Sequence, residues 1–337
     1  MSKRPSPISA TVDFEADGVQ HGFLKLPISN DESAWGAVMI PVTVVKNGEG
    51  PSALLTGGNH GDEYEGITAL MKLANTLKAE DVRGRVIIVP MMNMPAAQAG
   101  RRTSPMDGGN LNRSFPGNPD GSVTEKIADY FTRTLVPMVD VVLDLHSGGR
   151  TLDIVPFAAA HRLDDKEQQR RAMEGAKAFG APTAMLMFEL DAAKLFDTAV
   201  ESQGKIFIAT ELGGGGTTTP ESLAITERGV RNSLIHYGLI EGELALPEKP
   251  QAYLDMPDAA CYVQSEHTGL LELTLAIGDA VQKGEVIARV YDMTRTGAEP
   301  VEYRAARDGV LIARRFPSQV NMGDTIAVIG VVVDSLD

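Results

Sequence analysis

Two runs, Val86-Ile-Ile-Val89 and Val141-Val-Leu-Asp-Leu145, are apolar almost without a break. A strand with one face in water alternates apolar and polar residues, whereas a continuous run needs cover on both faces. Such strands belong in a sheet with helices packed on each side, and the surrounding chain supplies both kinds of segment. Residues 38–45, 52–56, 85–91, 139–145, 153–156 and 206–212 read as strands. Between them, 62–77, 123–135, 164–179, 192–202 and 220–237 read as helices. The reading is an α/β domain over residues 1–245, with functional loops at the strand ends.

After a linker-like stretch, Leu244-Ala-Leu-Pro-Glu-Lys-Pro-Gln-Ala252, the character changes. Residues 269–288, 308–313 and 320–327 alternate apolar and polar residues between Gly278-Asp279 and Gly323-Asp324 turns. This predicts an all-β domain over 253–337, built from two related halves. The two turns, with Ala306-Arg-Asp-Gly-Val310, resemble the biotinyl/lipoyl hammerhead fold. Such carriers attach their cofactor to a lysine at the hairpin tip, and residues 291–297 contain none, so a structural or lid role is expected.

The 337 residues carry a net charge of −14 and no clustered Lys/Arg run, which argues against a nucleic-acid partner. The acidic balance fits a solvated surface, or long-range steering of a cationic substrate. No stretch reaches the roughly 18 apolar residues that span a bilayer, and the N-terminus lacks the apolar segment of a secretory signal. A single cysteine, Cys261, rules out an intrachain disulfide and a thiolate zinc cage. A cytoplasmic enzyme is expected.

The chemistry centres on Thr56-Gly-Gly-Asn-His-Gly-Asp-Glu-Tyr-Glu-Gly66, a glycine-lined turn after an apolar run. His60 and Glu63, three residues apart where a strand gives way to a helix, can chelate one zinc ion. His146, just past another apolar strand, completes a two-histidine, one-carboxylate set with room for water in a fourth position. Asp144, two residues earlier, can accept the second ring N–H of a ligand histidine. The bland alternative is a turn-capping His60 and a hydrogen-bonded core His146. His161 with Asp164 shows the same spacing, but Asp164 reads as a helix N-cap. His236 sits late in a predicted helix, where a cation or a plain surface role suffices, and His21 and His267 lack partner carboxylates at useful spacing.

Glu211 follows the run Ile206-Phe-Ile-Ala209 and precedes four glycines, a position suited to taking a proton beside a metal without ligating it. Glu65 is the weaker candidate for that base, being expected to face away from His60 and Glu63. Asn112 and Arg113 pair an amide with a guanidinium, which grips a free carboxylate bidentately. Arg102, or its neighbour Arg101, can stabilise an oxyanion, unless the pair is merely a solvated loop.

His60-x-x-Glu63, Leu111-Asn-Arg113, His146 and Glu211 resemble, in order, the zinc carboxypeptidase clan and, within it, the succinylglutamate desuccinylase/aspartoacylase family. The resemblance spans roughly residues 50–240, with the C-terminal β-domain adding support. Asn110 stands where the family usually has aspartate. The resemblance implies a zinc-carboxypeptidase-like mixed sheet flanked by helices, one Zn2+ per chain, and a β-domain partly covering the site. It implies hydrolysis of the amide of a small N-acyl amino acid, with N2-acetyl-L-2,4-diaminobutanoate the substrate expected. N-succinylglutamate, N-acetylaspartate and a peptide C-terminus are alternatives, as is a non-enzymatic zinc-stabilised scaffold. Family members often form homo-oligomers.

Overall fold

The apolar runs are strands with both faces covered. Leu55, Ile88 and Leu143 enter one apolar cluster, while their neighbours Leu54, Ile87 and Val142 enter another on the opposite face. The computed structural model describes residues 4–187 and 193–336. In chain order its elements include β1 (Ser9–Ala10), β2 (Gly18–Asn30), β3 (Ser33–Asn47), β4 (Ser52–Gly57), α1 (Tyr64–Thr76), β5 (Gly84–Val89) and α2 (Met94–Ala99). Next come α3 (Val123–Tyr130), β6 (Val141–His146), β7 (Leu152–Ile154), β8 (Phe157–His161), α4 (Lys166–Phe179), β9 (Thr183–Met187), α5 (Phe196–Glu201), β10 (Ile206–Glu211) and α6 (Pro220–His236).

The sheet is mixed, in the order β1-β2-β3-β5-β4-β6-β10-β8-β9. Its centre, β5-β4-β6-β10, is parallel, and β8 runs antiparallel to β10. Parallel neighbours bring their carboxyl ends to one edge, and the register there is informative. Thr56 pairs with Asp144, and His146 pairs with Glu211. Helices α1, α4 and α6 contribute Leu70, Phe179 and Leu234 to one core, while α3 and α5 contribute Ile127 and Phe196 to the other. Among the described residues no helix is long and apolar enough to cross a membrane.

Several boundaries differ from the sequence reading. Helix α1 starts at Tyr64 rather than residue 62, because Glu63 is its N-cap in extended geometry. Asp165, not Asp164, caps α4, accepting from the N–H groups of Glu167 and Gln168. The regular α3 ends at Tyr130, where a π-helical turn, Phe131–Leu135, takes over. The helix expected from residue 192 is observed as α5 from Phe196, and residue 192 itself lies outside the described residues. Strands β2, β8 and β9 and helix α2 were not expected.

Past residue 250 the chain continues the same sheet. Strand β11 (Ala252–Asp255) runs parallel to β9. After it come β12 (Tyr262–Gln264), β13 (Gly269–Leu273), β14 (Ala280–Val281), β15 (Val286–Tyr291), β16 (Val301–Arg304), β17 (Gly309–Arg315), β18 (Gln319–Val320) and β19 (Thr325–Val332). Antiparallel β19 joins β11 to β17, while β16-β15-β13-β18 form a separate four-stranded sheet. Leu271, Ile287, Leu311, Ile326 and Ile329 fill the space within this β-unit. The two Gly-Asp turns are built alike. Asp279 Oδ2 accepts from Ala276 N–H at 2.9 Å, and Asp324 Oδ2 from Asn321 N–H at 2.8 Å.

Candidate metal and catalytic centre

Three strand ends and one helix start converge at the carboxyl edge of the sheet. His60 lies in the turn after β4, and that turn is pressed against α2. A Cβ on Gly61 would fall 2.0 Å from the carbonyl carbon of Ala96, so this position requires glycine. Gly61 N–H also donates to Arg101 O at 2.9 Å. Glu63 caps no backbone group of α1, which leaves its carboxylate free to turn inward.

The three side chains expected to bind metal meet there, and all are buried. Glu63 Oε1 lies 2.7 Å from His60 Nδ1, and Glu63 Oε2 lies 2.8 Å from His146 Nδ1. The far nitrogen of each ring is engaged elsewhere. His146 Nε2 faces Asp144 Oδ2 at 2.8 Å, and His60 Nε2 faces Asn110 Oδ1 at 3.2 Å. With an acceptor at each Nε2, the tautomer protonated there leaves the Nδ1 lone pair of a neutral ring facing Glu63. Two lone pairs aimed at an anion at such distances repel unless a cation stands among them. The donor set, two imidazole nitrogens and a carboxylate, is that of a catalytic zinc site. The residues fit the ion.

The electrostatics agree. Burial opposes charge on His146, yet Asp144 and Glu63 outweigh it and hold its pKa well above the ordinary histidine value. A second proton there does in the metal-free protein what a metal cation would do. Burial wins at His60 and lowers its pKa. Burial also works against ionisation of Glu63, but the two histidines overcome it and hold this carboxyl below its usual range.

Asp144 is fixed on every side. Its Oδ1 accepts the Thr56 hydroxyl at 2.6 Å, and its Oδ2 accepts Asn59 Nδ2 at 3.1 Å beside His146. Glu211, in register with His146, is half-buried and faces the same cavity; its Oε2 is buried without a hydrogen-bond partner. Burial and the charge of Glu63 push its pKa up to about 8. Glu65 is buried too, with Oε1 against Gly213, and is not among the cavity-lining residues. Burial raises its pKa to about 7. The four glycines after β10, Gly213 to Gly216, all have positive φ, a conformation other residues adopt at a cost. They let this loop bond closely to the one after β6. Gly213 O accepts from Gly148 and Ile154, and Gly215 N–H donates to Leu152 O.

The cavity, about 150 Å³, is lined by His60, Arg102, Asn112, Arg113, His146 and Glu211 among others. Arg102 Nη1 donates to Glu63 Oε1 at 3.2 Å, whereas Arg101 is not among the lining residues. Asn112 Oδ1 accepts from Phe196 N–H at 3.0 Å, and Arg113 Nη1 donates to Asn112 O at 2.6 Å. Every residue singled out in the sequence therefore borders one site, except the alternatives Arg101 and Glu65. Asn59, Asn110, Phe157, His161 and Asp197 are additions. Asn59 adjoins the His60 motif, and Asn110 was visible as a departure from the family pattern. His161 is discounted in the sequence because Asp164 reads as a helix N-cap, but its Nδ1 meets Glu201 Oε1 at 2.9 Å, 40 residues away in sequence. No local signal marks Asp197.

The sequence profile of the succinylglutamate desuccinylase/aspartoacylase catalytic domain matches residues 49–237, more than half of the chain. The chain belongs to that family. Within the succinylglutamate desuccinylase/aspartoacylase family it is 84% identical over 334 residues to the N-alpha-acetyl-L-2,4-diaminobutyric acid deacetylase of Halomonas elongata, covering 99% of this chain and 98% of that one. The fold superposes on the product-bound structure of the ectoine utilization protein EutE (DoeB) from Ruegeria pomeroyi, with a TM-score of 0.95, 58% identity, and coverage of 97% of this chain and 100% of the other. A succinylglutamate desuccinylase from Silicibacter sp. TM1040 matches with a TM-score of 0.95 and 57% identity, covering 98% and 100% of the two chains. The family resemblance read from the ordered motifs is thus correct. The family is zinc-dependent, and the buried His-Glu-His group of this member could hold a metal ion.

Proposed function

We propose that the chain deacetylates N2-acetyl-L-2,4-diaminobutanoate, cleaving the amide to acetate and 2,4-diaminobutanoate. The observation that carries this reading is the 84% identity, over nearly the whole of both chains, to a deacetylase of that compound. The likeness to an ectoine utilization protein supports a place in ectoine breakdown.

In this reading His60, Glu63 and His146 hold one zinc ion. Bound zinc supplies a Lewis acid that polarises the acyl carbonyl and eases deprotonation of the attacking water. Glu211 accepts a proton from that water as its oxygen adds to the acyl carbon. When the C–N bond breaks, Glu211 returns the proton to the leaving nitrogen. Arg102 sets positive charge at the cavity wall, where the acyl oxygen gains negative charge. Asn112 and Arg113 hold the α-carboxylate and so aim the amide at Glu211. We read residues 253–337 as structural support rather than a carrier, since the 292–300 connection has no lysine. The single cysteine, Cys261, is buried, which suits a cytoplasmic setting.

The test is a comparison of kcat/KM for N2-acetyl-2,4-diaminobutanoate, N-acetylaspartate and N-succinylglutamate with the purified zinc-loaded protein. The reading requires the diaminobutanoate derivative to be preferred. Preference for either acidic compound would leave a family deacylase of a different substrate.

A further inference from the structure

Among the described residues, three carboxylates line the catalytic cavity: Asp144, Asp197 and Glu211. Asp144 is committed to Thr56, Asn59 and His146, and Glu211 ends β10 beside His146. Asp197 belongs to neither arrangement and groups instead with His161 and Glu201, its carboxylate lying within 4.8 Å of their polar atoms. It is 7% exposed, lies in the first turn of α5, and its Oδ1 accepts from the backbone N–H and the hydroxyl of Thr198. Asp197 also lines a second cavity of about 660 Å³, which shares His161 and Met187 with the first. That second wall is acidic, with Asp164, Asp165 and Glu201 set against Arg162.

We propose that Asp197 binds the side-chain ammonium of the substrate and is the residue that separates cationic from acidic N-acyl amino acids. This rests on the deacetylase reading above. The hydrogen bond from Phe196 N–H to Asn112 Oδ1 ties the loop assigned to the α-carboxylate to the residue just before Asp197. A carboxylate and a two-methylene ammonium arm on one α-carbon therefore meet neighbouring groups of opposite charge. An acyl aspartate or acyl glutamate would carry its side-chain anion towards Asp197, where like charges repel in a poorly solvated cavity. The acidic second cavity favours a cation on the same side.

The test is the ratio of kcat/KM for N2-acetyl-2,4-diaminobutanoate to that for N-acetylnorvaline, its uncharged isostere. The ratio is taken within each protein, so that a loss of folded material cancels. Removing one partner of a buried, hydrogen-bonded charge pair costs about 30-fold or more. The ratio should fall by that factor in Asp197→Asn and stay within a few-fold of wild type in Asp197→Glu. A wild type that prefers the ammonium substrate while Asp197→Asn keeps that preference overturns the role of Asp197 and leaves the deacetylase reading standing. A wild type that cleaves N-acetylaspartate and neither of the paired substrates overturns both.

Discussion

Asp144 Oδ2 accepts the Nε2 proton of His146 at 2.8 Å, and Thr56 and Asn59 hold that carboxylate in place. The orientation of the His146 ring is therefore set by β4 and β6 together, through the Thr56–Asp144 register. Replacing Asp144 with asparagine keeps the shape and removes the charge that makes Nδ1 a strong donor. Zinc affinity should fall about 10- to 100-fold. Competition with a chromophoric chelator measures it, and an unchanged affinity would mean that Asp144 serves only the sheet.

Glu211→Gln preserves size and removes the proton acceptor. Turnover should drop by about 10²- to 10⁴-fold, with zinc content and melting temperature at wild-type values. Retained turnover would reassign the base, and Glu65, buried against Gly213, would be the next group to change.

Metal removal should loosen the fold at the same place. An ion that binds only the native state adds about 2.7 kcal/mol at 100 times its dissociation constant. Calorimetry should therefore show a higher melting temperature when zinc is returned to chelated protein. Glu63→Gln should abolish most of that increase, since Glu63 faces both histidines.

The raised pKa of Glu211 gives the metal-free protein a defined pH dependence. Its value rises from 4.5 to about 8 on folding, so the folded state holds this proton more tightly than the unfolded chain. That contribution is complete below about pH 4.5 and is lost as pH climbs through 8. Metal-free Glu211→Gln should therefore gain stability over metal-free wild type as pH rises from 5 to 9. A difference in melting temperature that stays flat across this interval would contradict the assignment.

Gly61→Ala tests the turn itself. The added methyl would meet the α2 backbone at 2.0 Å, where no side chain can yield. A cost of about 1–3 kcal/mol is expected, together with weakened zinc binding as His60 is displaced. Denaturant titration with and without zinc separates the two effects.

The central strands were legible because they are buried on both faces, and hydrophobicity marks that directly: β4, β5, β6 and β10 were each found to within two residues. Strand β8 was not, because Phe157-Ala-Ala-Ala-His161 is alanine-rich and alanine has little intrinsic preference for strands. Its strand character comes from its neighbours β10 and β9. Helix α2, only six residues long, was missed for want of a full amphipathic period. His60, Glu63, His146 and Glu211 were legible because each stands at a strand end or helix start within a short motif. Asp197 and His161 reach the same cavity through tertiary folding alone, which leaves no trace in local spacing.

The pairing of β17 with β7 has a consequence for how the protein is made. Leu152–Ile154, just past His146, hydrogen-bonds to Ala313–Arg315, and Arg314 grips Asp153 across 161 residues of chain. Phe316 rests against Gly215 in the loop after Glu211. On the ribosome, both loops emerge long before the strand that braces them, and they wait unbraced while the rest of the chain is synthesised. The active centre of this protein is thus a late product of biosynthesis, completed only after the strand that carries Arg314 has been made.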